Sequence, residues 1–368
     1  MPATDNNIPP VSVHSTAVNI IAAGVVLTGL VYGAGFLIPI VVALIVVNIL
    51  EAIVERLQKL GLPVILAVPI AIAFVLLVLV GLILVFISQI DAFLAAWPRY
   101  LERLQTIAAN LLTGLGEEWV GRLRTQLGAL DLTNRISAAL GSVGGVILNF
   151  LLVVLYAGFL LADRGRIARR LISLGETHAD RAQTFATLAK ISDGIRQYLF
   201  VKTVLSVATG ALSYAILHWL GVDFAEIWAV IIFLLNYIPS IGSVLGVVFP
   251  ALLALVQFDT LEPFLIIVCV LAVIQFVIGN VIEPMMMGRS FNLGAFTVIV
   301  ALMFWSAIWG IAGAFLAVPI TAAFVILCRE VEGWQWIAVL LSNERPRAAR
   351  KPPPTAGAEP GTTAPSST

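Results

Sequence analysis

The chain is poor in the residues that carry enzyme chemistry. Its three histidines, His14, His178 and His218, stand far apart, and its two cysteines, Cys269 and Cys328, sit in apolar runs without CxxC spacing. Neither pattern supplies a metal-ligand set or a redox pair, so no metal and no cofactor are expected and the thiols read as small buried hydrophobes. No GxxxxGKS/T, HExxH, GxSxG or dinucleotide fingerprint occurs, which argues against a covalent or metal-dependent enzyme and against ATP-driven transport within the chain. Charge is scarce too. Only 11% of the 368 residues are charged, the formal net charge is zero, and no basic or acidic block points to nucleic acid.

What fills the sequence instead is apolar: 60% of residues are hydrophobic, far outside the soluble range. The reading that follows is an all-α, polytopic helical membrane protein with about eight apolar segments, embedded in a lipid bilayer. No Lys or Arg precedes the first apolar run and no small-residue cleavage site follows it, so this segment is expected to stay as a membrane helix.

Residues 1–15 are polar and expected to be disordered, and residues 16–90 hold three spans. The short loop with Arg56 and Lys59 marks the cytoplasmic side. Residues 91–142 mix charges with Trp97, Leu101, Leu104, Ala108 and Leu111, then Trp119, Leu123 and Leu127, an amphipathic helical stripe expected on the outer face. A fourth span covers 143–161, and the linker 162–198, rich in arginine, is cytoplasmic by the same rule. Residues 199–330 form a C-terminal transport core, and 343–368 read as a disordered cytoplasmic tail. Both termini then fall inside.

Two apolar runs in this core are interrupted. In Ile227–Val256 the polar or helix-breaking residues Asn236, Tyr237, Pro239, Ser240, Gly242 and Ser243 split the run into flanks too short to cross about 30 Å of hydrocarbon. Leu293–Leu327 carries Gly310, Gly313 and Pro319 near its centre. Backbone groups freed at such breaks are tolerated at membrane depth only where they face protein or a water-filled cavity, and discontinuous helices form solute and ion sites in transporters. Two topologies are open: eight crossing segments, or six spans and two re-entrant hairpins. Between the breaks, Gln275 and Gly279, then Asn280 and Glu283, lie three or four residues apart and share a helical face. A carboxylate in that setting is costly unless paired, hydrated or protonated, which makes Glu283 a candidate coupling group, with an interfacial residue before Pro284 as the other reading. Asn48, Glu51, Asp193, Arg196 and Lys202 read as interfacial or snorkelling side chains. Met285–Met287 read as packing residues, and Trp305 and Trp309 as part of an aromatic belt.

GIRQYLFVKT before the fifth span, NYIPSIGSVLGVVFPALLAL at the first break and NVIEPMMMGRSFNLGAFTVIVALMFWSAIWGIAGAFLAVPITA at the second together resemble the autoinducer-2 exporter family of bacterial permeases. The resemblance covers about residues 15–335. It implies a secondary carrier of the bacterial inner membrane, a homo-oligomer of which pentamers are the associated form, moving a small solute that is autoinducer-2 in some relatives. Other relatives are similar to sodium/proton antiporters, so membership does not fix the substrate, and the expected coupling partner is a proton or sodium. Ser240 stands where the family carries an aromatic or aliphatic residue. Three functions are therefore weighed: an exporter of a small polar solute with its site near the membrane midplane, a monovalent cation/proton antiporter, and a non-transporting membrane scaffold.

Overall fold

A computed structural model describes residues 13–112, 143–173, 178–287, 293–331 and 333–342. Within them every regular element is a helix, and one isolated bridge joins Leu293 to Ser342. The order is α1 (Val13–Tyr32), α2 (Ala34–Lys59), α3 (Val64–Leu112), α4 (Val143–Ser173), α5 (His178–Trp219), α6 (Ala225–Leu235), α7 (Ile241–Gln257), α8 (Glu262–Val277), a π-helical turn (Ile278–Ile282), α9 (Glu283–Met287), α10 (Ala295–Glu330) and α11 (Gln335–Leu341). Five stretches are long and apolar enough to cross a membrane: Ala34–Lys59, Val64–Gln89, Arg181–Trp219, Glu262–Met287 and Ala295–Glu330. Their outward faces are unpartnered leucine, valine and phenylalanine, as a lipid-facing surface requires, and the chain is an integral membrane protein.

Close helix approach in such a protein rests on small residues, because lipid tails remove the hydrophobic drive that works in water. Ala43, Ala67, Ala71 and Ala157, all fully buried, let α2, α3 and α4 pack into one layer with Leu50 and Val153 between them. On α7, Gly242, Gly246, Pro250 and Ala254 fall four apart and are all buried. That stripe lies against Ile232 and Gln275, so α6, α7 and α8 form a second core around Ile232, Ile267 and Leu271.

Both interrupted runs are hairpins. The side chain of Gln257, at the end of α7, accepts from the Asp223 amide at 2.8 Å and donates to the Gly221 carbonyl at 2.8 Å, so both limbs of the first hairpin close at one end of the bundle. The second lies inside α10, where Gly310 leaves the helical region (φ 59°, ψ −138°), a conformation that L side chains rarely adopt. Its limbs run antiparallel, with Trp305 donating to Thr321 at 3.2 Å. Its two ends also sit together, since the Gly294 amide donates to the Leu341 carbonyl and Leu293 packs with Val325, Cys328 and Ala338. This end is the basic one: Glu330 pairs with Lys190 at 2.8 Å. The hairpins thus enter from opposite ends and meet where Ile238 packs on Leu302, Ala314 and Ala317. Both broken runs thus return to the end they start from, and the linker after Met287 starts at the basic end, where Gln197 donates to the Met287 carbonyl.

The boundaries differ from the sequence reading in three places, since α5 also runs unbroken from His178 to Trp219 across the expected linker boundary at 198. α3 continues without a break from its apolar span through Leu112, and α4 runs on to Ser173, because neither junction holds a residue that stops a helix. Pro98, inside α3, is tolerated. Trp119, Leu123 and Leu127, and both termini, lie outside the described residues.

Candidate solute site at the tip of the first hairpin

The first hairpin turns over Asn236–Ser240, and its geometry follows from residues that cannot continue α6. Pro239 has no amide to donate. Ser240 takes φ 62°, ψ −53°, and the Ile241 amide donates back to the Pro239 carbonyl at 2.6 Å, a three-residue γ-turn of the rare positive-φ kind. A serine held there costs about 1–3 kcal/mol, a strain that clusters at ligand sites. Gly242 then passes so near the Leu235 carbonyl that a Cβ would collide with it.

Next to this turn lies a cavity of about 370 Å³. The tip contributes Asn236, Pro239 and Ser240, α7 contributes Ser243, and α8 contributes Gln275. The π-helical turn adds Gly279 and Asn280, α9 adds Glu283, and α5 adds Lys202. Such wide turns inside α-helices often mark functional positions. Seven polar or turn residues singled out from the sequence, Asn236, Pro239, Ser240, Ser243, Gln275, Asn280 and Glu283, are therefore brought to one wall-to-wall space.

Its electrostatic centre is an ion pair. Lys202 Nζ lies 2.6 Å from Glu283 Oε1, with 4% and 21% of the two side chains exposed. The same ammonium donates to the Asn236 carbonyl at 3.3 Å, one of the groups released where α6 ends. Asn236 Nδ2 in turn donates to Ser206 Oγ at 3.1 Å, tying the tip to α5. Glu283 is thus a paired carboxylate at the cavity wall, not an isolated interfacial one. Lys202, read from sequence as a snorkelling side chain, is almost fully buried. The missed signal was its register: Lys202, Ser206, Thr209 and Ser213 recur at spacings of four, three and four, and all four are buried on one stripe of α5.

The remaining candidates lie elsewhere. Tyr237 points away from the cavity, sharing a 2.8 Å hydrogen bond with the Thr203 hydroxyl and packing on Phe315. Gly242 permits the close crossing of the turn. Gly310, Gly313 and Pro319 belong to the second hairpin and do not line the cavity. Gly313 sits against the Trp305 carbonyl, and the tip is fixed by Trp309 donating to the Leu30 carbonyl at 2.9 Å. Both tryptophans are therefore engaged inside the protein, and the second hairpin supports the site through packing. Asn48, Glu51 and Arg196 join α2 to α5: Arg196 bonds Glu51 and Glu55 at 3.0 Å, and Ser192 donates to Asn48 at 3.1 Å.

From Trp219 to Lys202 is 17 residues of α5, about 25 Å at 1.5 Å per residue, and Arg196 is six residues, about 9 Å, beyond.

At the opposite end, α3 reaches past its span to hold the base of the hairpin. Arg99 pairs with Asp223 at 3.2 Å, Tyr100 donates to the same carboxylate, and Arg103 binds Asp259 and the Phe258 carbonyl. Burial, together with the hydrogen bond to Asp223, pushes the Tyr100 phenol up to about 12.

Comparison with known proteins agrees with this architecture. The family description "AI-2E family transporter" matches residues 20–333. The protein named AI-2 transport protein TqsA of Escherichia coli K12 is 28% identical over 326 residues, 87% of this chain and 93% of the relative. The putative transport protein YhhT of the same strain is 26% identical, covering 88% and 93% of the two chains. A putative transport protein of Haemophilus influenzae is 28% identical over 90% of this chain and 97% of its own. A hairpin-built membrane bundle whose match runs through both hairpins and all the cavity residues belongs to the AI-2E transporter family.

Proposed function

We propose that the protein is a secondary transporter of the bacterial inner membrane that moves a small, oxygen-rich polar solute through the cavity at the tip of the first hairpin, and that it is no enzyme. The observation that carries this reading is the convergence of Lys202, Gln275, Asn280, Glu283 and the Asn236 carbonyl on one space of about 370 Å³. That volume lies at the low end of small-molecule sites. Amides, hydroxyls and the Asn236 carbonyl, with its second lone pair, offer donors and acceptors to a solute rich in hydroxyl and carbonyl oxygens. Autoinducer-2, the solute in the name of one relative, is the first candidate. A scaffold reading leaves the strained turn and the polar cavity without a use.

The test is flux of autoinducer-2 in proteoliposomes. Wild-type protein should exchange the solute well above protein-free liposomes, and Gln275→Ala should raise KM about tenfold, the cost of one or two lost hydrogen bonds. Flux in the variant equal to wild type would remove the cavity from the path.

A further inference from the structure

We infer that Lys202 and Glu283 form the coupling device of this site: a proton taken up by Glu283 frees the Lys202 ammonium to hold an oxyanion of the solute, so that solute and proton cross together. The inference rests on the transporter reading above and names its driving ion and solute class.

The argument begins with the cost of a buried charge. With Glu283 ionised the pair is neutral, and the empty carrier holds no net charge at the cavity. Protonation of Glu283 alone would leave Lys202 buried with the Asn236 carbonyl as its remaining described partner. Removing one partner from a buried pair costs several kcal/mol, because the other charge stays uncompensated. An oxyanion on Lys202 restores neutrality. Proton and anion therefore bind with positive coupling, each supplying what the other removes. The balance is simple: one proton leaves water for a Glu283 carboxylate oxygen, the ammonium keeps all three of its protons, and one anion joins it, so no net charge moves with the loaded site.

The same geometry argues against sodium. Glu283 is the one carboxylate among the residues lining the cavity, and its charge is already matched by an ammonium at 2.6 Å. A second monovalent cation there would face Lys202 at close range with no negative charge to hold it. The titratable groups beside Glu283 are Lys202 and Tyr198, both from α5. The π-helical turn and α8 present only the neutral amides Asn280 and Gln275. Those amides, with Ser240 and Ser243, suit hydroxyls, so the solute class is a small hydroxylated oxyanion.

The experiment uses full-length protein in proteoliposomes containing a trapped pH dye, with glycerate, lactate, autoinducer-2 and the uncharged glycerol as probes. The expected result is that at least one hydroxy acid moves with acidification of the receiving side, that a proton gradient drives it and a sodium gradient does not, and that glycerol is not carried. Glu283→Gln should retain exchange but lose the pH dependence and the accompanying proton. Lys202→Met should lose hydroxy-acid flux at least tenfold, and Lys202→Arg should restore part of it. Because Lys202→Met strands a carboxylate, the double variant Lys202→Met/Glu283→Gln serves as the neutral, folded control, and it too should fail to carry the anions. Autoinducer-2 flux insensitive to pH and to Lys202, hydroxy-acid movement without protons, or an unchanged pH profile in Glu283→Gln would each overturn the inference while leaving a transporter. Absence of flux for every probe would overturn the transporter reading itself.

Discussion

Single residues set the shape of the candidate site more than its polarity does. Gly242 is the sharpest case, because the obstacle to a side chain there is the Leu235 carbonyl, a backbone atom that cannot swing aside. Gly242→Ala should lower stability by about 1–3 kcal/mol, the usual cost of overpacking, or more if the turn opens. Ser240→Gly, which keeps φ 62° without a Cβ, should leave stability unchanged or raise it slightly. Thermal unfolding of the two detergent-solubilised variants distinguishes them, and equal midpoints would contradict the γ-turn. At this scale the sequence was informative where a residue is unusual for its surroundings: Asn236, Pro239, Ser240 and Glu283 all announced themselves inside apolar runs. Lys202 did not, since a lysine three residues into an apolar run is what a snorkelling residue looks like, and its partner Glu283 comes from a distant helix.

Among elements, the informative contact is the grip of α3 on the base of the first hairpin. Arg99 and Asp259 are largely exposed, so their ion pairs contribute little to overall stability, about 0–1 kcal/mol each. Their use is positional: they fix the hairpin's base while its tip remains against the cavity. The phenol of Tyr100 supports this at all ordinary pH. Its folded value is raised, so its contribution is complete below the unfolded value near 10 and fades only as pH rises through about 12. Asp223→Asn combined with Arg103→Ala should shift the melting midpoint by only a few degrees. Backbone amides of 221–224 and 257–261 should nonetheless exchange with deuterium faster, with 236–240 unaffected. Uniform acceleration across the hairpin would mean that the clasp holds the whole element. Sequence showed that both runs were broken, yet periodicity could not say whether a break crosses or returns. That was decided by pairings between distant positions, Asp223 with Gln257 and Glu330 with Lys190.

For the whole molecule, composition alone fixed the class, since a chain this apolar must satisfy its backbone internally and α-helices do that. Which break carries the site was not legible: the two breaks look alike in sequence, whereas here one hairpin carries the polar wall and the other the packing behind it. The central claim is that solute passes through the space beside the first hairpin's tip. With Cys269 and Cys328 replaced by alanine, Ser243→Cys places a single thiol on that wall. A bulky maleimide should then abolish autoinducer-2 flux in proteoliposomes, and excess autoinducer-2 present during labelling should protect it. Complete labelling with undiminished flux would contradict the account.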